Sequence, residues 1–475
     1  MRIEELHLSN IGRFGNLSIS LQNTNLENSS VTVFIGTNGG GKTTILRSIA
    51  TSLSWLTARI RSEQGSGSPI PEDWITNGTN SAAIAVRAKE FGALTWGISK
   101  TRAGRKGDHF SHLSELSELA EKHRYHLSSD ENTSLPLIAF YPVERSVINV
   151  PLKISSKKGY SHLDGYENSL SQGVDFRRFF EWFRGREDME NEIGRPQAVL
   201  NMIRQDPDKV AKFINLVEGA ESRIDKIEPL DLKSLSTEMK SISYAIKFVE
   251  AIERSSKDKQ LTAVRQAITN FMPNFSNLRV RRKPKLHMLI DKDNSPLDVS
   301  QLSQGEKSLM ALVGDIARRL AILNPGSSNP LEGRGIVVID EVDMHLHPQW
   351  ARKIVAQLTN TFPNCQFILS THSPLVISEC KDILIYSLED GQLTEIPSQY
   401  GQDANSVLLE VMDTDIRNSD VALALGDLSD HIQDGRFDAA QTLLENLQND
   451  LPDGNIELAK ARIMLRKEQL RRAKD

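Results

Sequence analysis

A chain of 475 residues has room for about three domains, and its 39% hydrophobic and 25% charged content excludes a disordered polymer. Its longest apolar runs, such as Ile336–Ile339, are strand-length and far below the ~18 residues that cross a bilayer, so no membrane partner is expected. Two cysteines, Cys365 and Cys380, cannot staple a fold of this size, and a net charge of −5 restricts any nucleic-acid surface to a local patch.

The opening MRIEELHLSN carries acids where a secretory leader is apolar, which predicts a cytoplasmic protein. Strands are predicted at Ile3–Ile11, Leu17–Leu21 and Val31–Gly36, where apolar residues alternate or run together. Residues 82–100 predict two further strands joined at Phe91-Gly92, and Thr101–His109 reads as a polar, Gly-bearing loop. LPLIAFYP (Leu135–Pro142) is a buried strand. From about 165 to 272 the texture turns helical, with apolar residues at i, i+3, i+4 in Phe176–Asp188 and Ser241–Arg254. Strand texture resumes at Leu278–Ile290 and alternates with helix between Gly335 and Ser373. Beyond about 418 the chain is helical, with breaks at Asp434-Gly435 and Pro452. These shifts divide it at 1–150, 151–272, 273–400 and 401–475.

Gly36-Thr37-Asn38-Gly39-Gly40-Gly41-Lys42-Thr43 fits G-x-x-x-x-G-K-[ST], with an apolar strand before it and a helical pattern after it. Glycines let successive backbone N–H groups curl round phosphates, and the helix N-terminus adds partial positive charge. Lys42 is placed to reach the β- and γ-phosphates of ATP, Thr43 to ligate Mg²⁺, and Thr44 to complete the loop. Some three hundred residues later GIVVIDE (Gly335–Glu341) is a buried strand ending in two carboxylates. Asp340 suits a Mg²⁺ ligand, and Glu341 a general base that polarises the attacking water. His372 ends the next apolar strand, where it could hydrogen-bond the γ-phosphate.

Leu302-Ser303-Gln304-Gly305-Glu306-Lys307 resembles the signature motif of ABC-type ATPases, in the variant of the SMC, Rad-fifty and RecF group. Leu170–Gly173 repeats LSQG but continues Val-Asp-Phe, and is set aside. The resemblance implies an α/β ABC-type P-loop ATPase head interrupted by a helical insertion. Segments 1–150 and 273–400 would be its two lobes, 151–272 the insertion, and 401–475 a small helical C-terminal partner-docking region. It implies a head-to-tail dimer in which Ser303 and Gly305 bind the γ-phosphate of ATP held by the partner, and Asp343 crosses the interface. FYPVERSV, VDFRRFFEWFRGREDMENE and YGQDANSVL resemble the PtuA ATPase subunits of Septu-type antiphage systems, including retron-associated ones. That likeness implies control of an HNH nuclease of the PtuB kind by a homo-oligomer built from such dimers, with DNA or a retron DNA–RNA hybrid as a further partner. The alternative is a RecF-like DNA-repair ATPase with no nuclease. No Gln follows Phe140-Tyr141-Pro142, where many ABC ATPases sense Mg²⁺ and water, so either Glu144 or Arg145 substitutes or hydrolysis is slow.

Other features are weaker. His345 and His347 are too few for a metal site. Arg279, Arg281, Arg282, Lys283 and Lys285 suit either a phosphate-backbone contact on one strand face or a solvated edge strand. The aromatics of Phe176–Asp188 read as core. Arg102, Arg105 and Lys106 lie on the polar loop, and Arg462, Arg466, Lys467, Arg471 and Arg472 suit either a docking helix or a solubilising face.

Overall fold

β1 (Arg2–Ile11) and β2 (Phe14–Ser20) pair antiparallel across the short turn that Gly12 makes, in a computed structural model that describes residues 1–22, 30–143, 161–171, 176–194, 257–415, 417–452 and 454–472. β4 (Ser81–Glu90) and β5 (Gly92–Thr101) extend this to a four-stranded antiparallel sheet of order β2-β1-β4-β5. Ile3, Leu6, Leu8 and Ile11 of β1 are buried, and the break in alternation after Ile3 falls at a register shift against β4. Phe91 takes φ 39° and Gly92 φ 143° at the hairpin tip, where the sequence predicts the turn.

The second sheet has a different physical character. β3 (Val31–Gly36), β6 (Leu137–Tyr141), β10 (Gly335–Ile339) and β11 (Cys365–Ser370) are buried along nearly their whole length. Covered on both faces, such strands read as unbroken apolar runs. They line up as β13-β12-β3-β11-β10-β6, all parallel except the edge strand β13 (Gln392–Ile396), which returns antiparallel from β12 (Leu384–Glu389). Strands distant in sequence therefore sit side by side: Ser370 is in register with Phe34, and Ile339 with both Leu369 and Tyr141. A third sheet, β7 (Phe275–Arg281), β8 (His287–Lys292) and β9 (Ser295–Asp298), is a meander.

Helices cover these sheets: α1 (Lys42–Arg61), α2 (Ser114–Ser129), α3 (Phe176–Met189), α4 (Lys259–Phe271), α5 (Gln304–Leu323) and α6 (Ile354–Thr361). Phe176, Phe179, Phe180, Trp182 and Phe183 are all buried, which makes the aromatic face of α3 core and leaves no base-stacking platform there. α3 and α4 are clasped by ion pairs: Arg265 to Glu187 at 3.1 Å and to Glu190 at 2.9 Å, and Arg186 to Asp258 at 3.1 Å. The helix predicted at Ser241–Arg254 lies outside the described residues, as do Glu144, Arg145 and the last two residues of the second LSQG.

The chain forms two compact units, Met1–Gly401 and Gln402–Asp475. The second contains α7 (Ala404–Glu410), α8 (Ser419–Asp434), α9 (Phe437–Asp450) and α10 (Ile456–Arg472). Leu428, Ile432, Ala440, Leu444, Leu447, Leu458 and Leu465 make its core. Gly435, at φ 80°, ends α8 in the left-handed conformation that glycine adopts without a Cβ penalty. Among the described residues, no helix is long and apolar enough to cross a membrane.

Candidate active site

β3 delivers the phosphate-loop sequence to the start of α1. The N-cap of α1 is Gly41 at φ 112°, with no side-chain cap and no acid in the first turn. The first N–H groups of any helix have no intrahelical acceptor, so here they are left for an anion. A Cβ on Gly41 would collide with the Phe14 ring at the end of the antiparallel sheet, so both backbone and space demand glycine. Lys42 is buried, and its ammonium donates to the carbonyls of Gly36 and Thr37 at 2.7 and 3.0 Å. Burial lowers its pKa, while Asp340 and Glu341 pull it back up. Thr37, Asn38 and Gly39 are exposed, and Thr43 and Thr44 partly so, which leaves the loop open to a ligand.

Parallel pairing brings the second half of the site alongside. Asp340 directly follows β10 and is 1% exposed; its N–H donates to the Tyr141 carbonyl at 2.9 Å, and the Ser370 hydroxyl donates to its carboxylate. Ser370 also accepts from the Glu341 N–H at 2.8 Å. Glu341 has φ 46°, a left-handed backbone that a residue other than glycine keeps only when its surroundings enforce it. Thr371 bonds Asp343 through its hydroxyl, and His372 follows, exposed. Partial desolvation of its ring and the Lys42 charge push the His372 pKa down, against smaller opposing pulls from Glu341, Asp343 and Asp340. Its imidazole is therefore the neutral form near neutral pH, able to donate from one nitrogen and accept at the other.

Ser303 and Gly305 form a second cluster at the start of α5. Ser303 is the N-cap of a capping box: its hydroxyl accepts from the Glu306 N–H at 3.3 Å and Glu306 accepts from the Ser303 N–H at 2.9 Å. Lys292 holds the same Glu306 carboxylate at 2.7 Å, and with the Ser303 bonds keeps its pKa low against the opposing effect of burial. A Cβ on Gly305 would lie 2.6 Å from the His345 carbonyl, so glycine lets α5 touch the loop that carries Asp343. The exposed motif face and that loop are thus one surface.

A family model described as "AAA domain, putative AbiEii toxin, Type IV TA system" matches residues 31–378, which contain both clusters. The chain belongs to this family. The chain is similar to "Retron Ec83 probable ATPase" of Escherichia coli, 34% identical over 86% of this chain and 76% of that protein. It is likewise similar to "Retron Vc95 probable ATPase" of Vibrio cholerae serotype O1 biovar El Tor, 33% identical over 89% of this chain and 85% of that protein. "Septu protein PtuA" of Bacillus mycoides (strain KBAB4) matches a shorter stretch, 36% identical over 24% of this chain and 16% of that protein. Among solved structures, an Smc head domain bound to the C-terminal domain of ScpA, from Pyrococcus furiosus, aligns over 83% of this chain and 96% of that chain, 16% identical, with a TM-score of 0.41. This AAA-family chain is an ATPase related to PtuA and to the retron ATPases.

Residues that the sequence alone did not single out also build the candidate site. Ser370 and Thr371 position Asp340, Glu341 and Asp343; two hydroxyls at the end of CQFILS were the available signal. Tyr141 joins Asp340 through its carbonyl and Asp315 of α5 through its hydroxyl at 3.0 Å. The basic run of this ATPase does not share a strand face as its alternation suggests. β7 stops at Arg281, and the chain turns at Lys283-Pro284. Arg279 is paired with Asp291 at 2.8 Å, and Arg282 with Glu187 at 3.2 Å and with Asp188. Arg102 donates to the carbonyls of Thr79 and Ile75 at 3.0 and 2.8 Å, so it braces its loop. His347 caps the turn at Pro348 by accepting from the Gln349 N–H at 3.3 Å.

Proposed function

We propose that this ATPase binds ATP with Mg²⁺ between two copies of its head and uses the nucleotide state to control a partner nuclease of the HNH type in antiphage defence. The observation that carries it is the uncapped, acid-free start of α1, with buried Lys42 in electrostatic reach of the Asp340–Glu341 pair, whose strand β10 is separated from β3 by β11 alone in the parallel sheet. A cradle of donors and one ammonium suits a polyphosphate, and the two carboxylates suit a divalent cation and a polarised water. Among the described residues no three His, Cys, Asp or Glu side chains cluster as a metal site. That suits Mg²⁺, which takes most of its ligands from water and phosphate.

In this reading Gly36, Thr37, Asn38, Gly39, Gly40, Gly41 and Thr44 cradle the phosphates, and Lys42 leaves its two carbonyls to reach the β- and γ-phosphates. Thr43 and Asp340 hold the cation. A bound Mg²⁺ would supply charge neutralisation at the β- and γ-oxygens. Glu341 polarises the attacking water, held by the Ser370 bond to its backbone, and neutral His372 hydrogen-bonds the γ-phosphate. Ser303 is exposed, and Gly305 packs against the His345 carbonyl of the loop that carries Asp343, which supports their acting together on the nucleotide of the partner copy. ATP then favours the paired state by its higher affinity for it, and hydrolysis releases the pair.

The relatives named as retron ATPases and Septu PtuA support the defence assignment. Co-purification of the tagged chain with the products of neighbouring genes, beside Glu341→Gln, tests the reading. A small HNH protein retained in stoichiometric amount, and retained differently by Glu341→Gln, is the expected result. A chain that emerges alone, with turnover stimulated by DNA, favours the repair reading instead.

A further inference from the structure

α10 has two faces. Leu458, Ala461 and Leu465 turn into the core of the second unit. On the opposite side Ile456, Ile463 and Leu470 recur every seven residues and are 69%, 70% and 60% exposed. At 1.5 Å per residue they make an apolar line about 21 Å long. Single exposed apolar residues are ordinary, but three at heptad spacing make one continuous apolar line along which a second helix can lie. If the line is position a, then Ala459 and Arg466 fill position d, Lys460 and Lys467 position e, and Arg462 position g.

The charge around the seam has one sign. Lys460 is paired with Glu457 at 3.4 Å and Arg471 with Glu468 at 3.4 Å, both on α10 itself. Among the described residues no carboxylate pairs with Arg462, Arg466 or Lys467. A second copy of α10 laid on this seam would set lysine against lysine or lysine against arginine at the flanks, which is repulsive.

We propose that this face of α10 is the docking surface for an acidic amphipathic helix of a partner protein. The occupant carries an apolar heptad line, glutamate or aspartate at its flanking positions, and an acid opposite Arg466. Ala459 admits close approach between Ile456 and Ile463. The surface deepens the partner reading above and rests on it, but it uses none of the nucleotide residues.

The test uses the full chain and two fluorescein-labelled synthetic peptides of three heptads. Both carry Ile and Leu at a and d; one has glutamate at e and g, the other lysine. In fluorescence anisotropy the glutamate peptide binds saturably and the lysine peptide does not. Ile463→Glu, at an exposed position, weakens the glutamate peptide about tenfold or more. The triple variant Lys460→Glu, Arg462→Glu, Lys467→Glu reverses the preference to the lysine peptide. Unchanged circular dichroism and ATP turnover show that both variants are folded. Wild-type chain that binds both peptides alike, or neither, overturns the proposal, as does undiminished binding by Ile463→Glu. Sedimentation with phosphatidylserine vesicles that Ile463→Glu abolishes, without peptide preference, assigns the face to lipid and also overturns it. A nuclease still retained by the Ile463→Glu chain removes this surface while leaving the partner reading standing; loss of the nuclease from wild type, with peptide binding intact, does the reverse.

Discussion

The backbone of Glu341 is held at φ 46° with its N–H bonded to a serine from the neighbouring strand, so its backbone is set before any substrate arrives. Replacing Glu341 with glutamine keeps its size but removes the carboxylate that the proposed function uses as base. Turnover of Glu341→Gln should fall about 100-fold or more while ATP binding persists, measured by phosphate release and by equilibrium binding on the same sample. Tyr141 and Asp315 act on stability at the same scale. Burial alone pushes the Asp315 carboxyl up, but Arg319 and Arg318, at 2.7 Å each, override it and leave it below its ordinary value. Because the folded value is the lower one, this network stabilises fully above the ordinary carboxylate value of about 3.9, and loses that contribution as pH falls through the folded value. Urea unfolding between acid and neutral pH should show that loss, and Asp315→Asn should flatten it. Tyr141→Phe removes a buried bond to a charged group and should cost about 2 kcal/mol in the same assay.

At the scale of the element, α5 carries two roles that a single residue can separate. Ser303 caps the helix, so Ser303→Ala should cost about 1 kcal/mol. Aspartate caps as well as serine does, yet adds a negative charge where the proposed function places a phosphate. Ser303→Asp should therefore melt close to wild type by differential scanning calorimetry while its ATPase is lost; retained activity would remove Ser303 from the nucleotide site. The strands were readable because a doubly covered parallel sheet needs unbroken apolar runs, as in Val31–Ile35 and Ile336–Ile339. The basic run was read less well. Alternation suggested one face, but β7 ends at Arg281, and carboxylates more than ninety positions upstream neutralise Arg282.

For the whole molecule, pairing of heads is the testable consequence. Glu341→Gln with ATP and Mg²⁺ should shift to a larger particle in mass photometry, since it binds nucleotide but does not discharge it. Chelation with EDTA should reverse the shift, and a second substitution, Ser303→Asp, should prevent it. A particle size independent of nucleotide in all of these would remove the nucleotide-gated pairing. The second unit has its own apolar core, so Leu444→Ala should destabilise it by about 2–5 kcal/mol without touching ATP binding.

The sequence by itself determined the phosphate loop, the LSQGEK motif and the apolar strands, because each rests on local chemistry within a few consecutive residues. Glycines, a lysine and a threonine in one turn can be recognised without knowing what surrounds them. Only the tertiary structure decided the neighbours. Strand order β3-β11-β10-β6 sets Lys42 against carboxylates some three hundred residues away, and Tyr141 against Asp340. It also showed that Arg279, Arg282 and Arg102 are already occupied, whereas Arg462, Arg466 and Lys467 border an uncovered apolar line. Charge and hydrophobicity are properties of residues, but whether they are satisfied depends on what packing brings within a few ångströms.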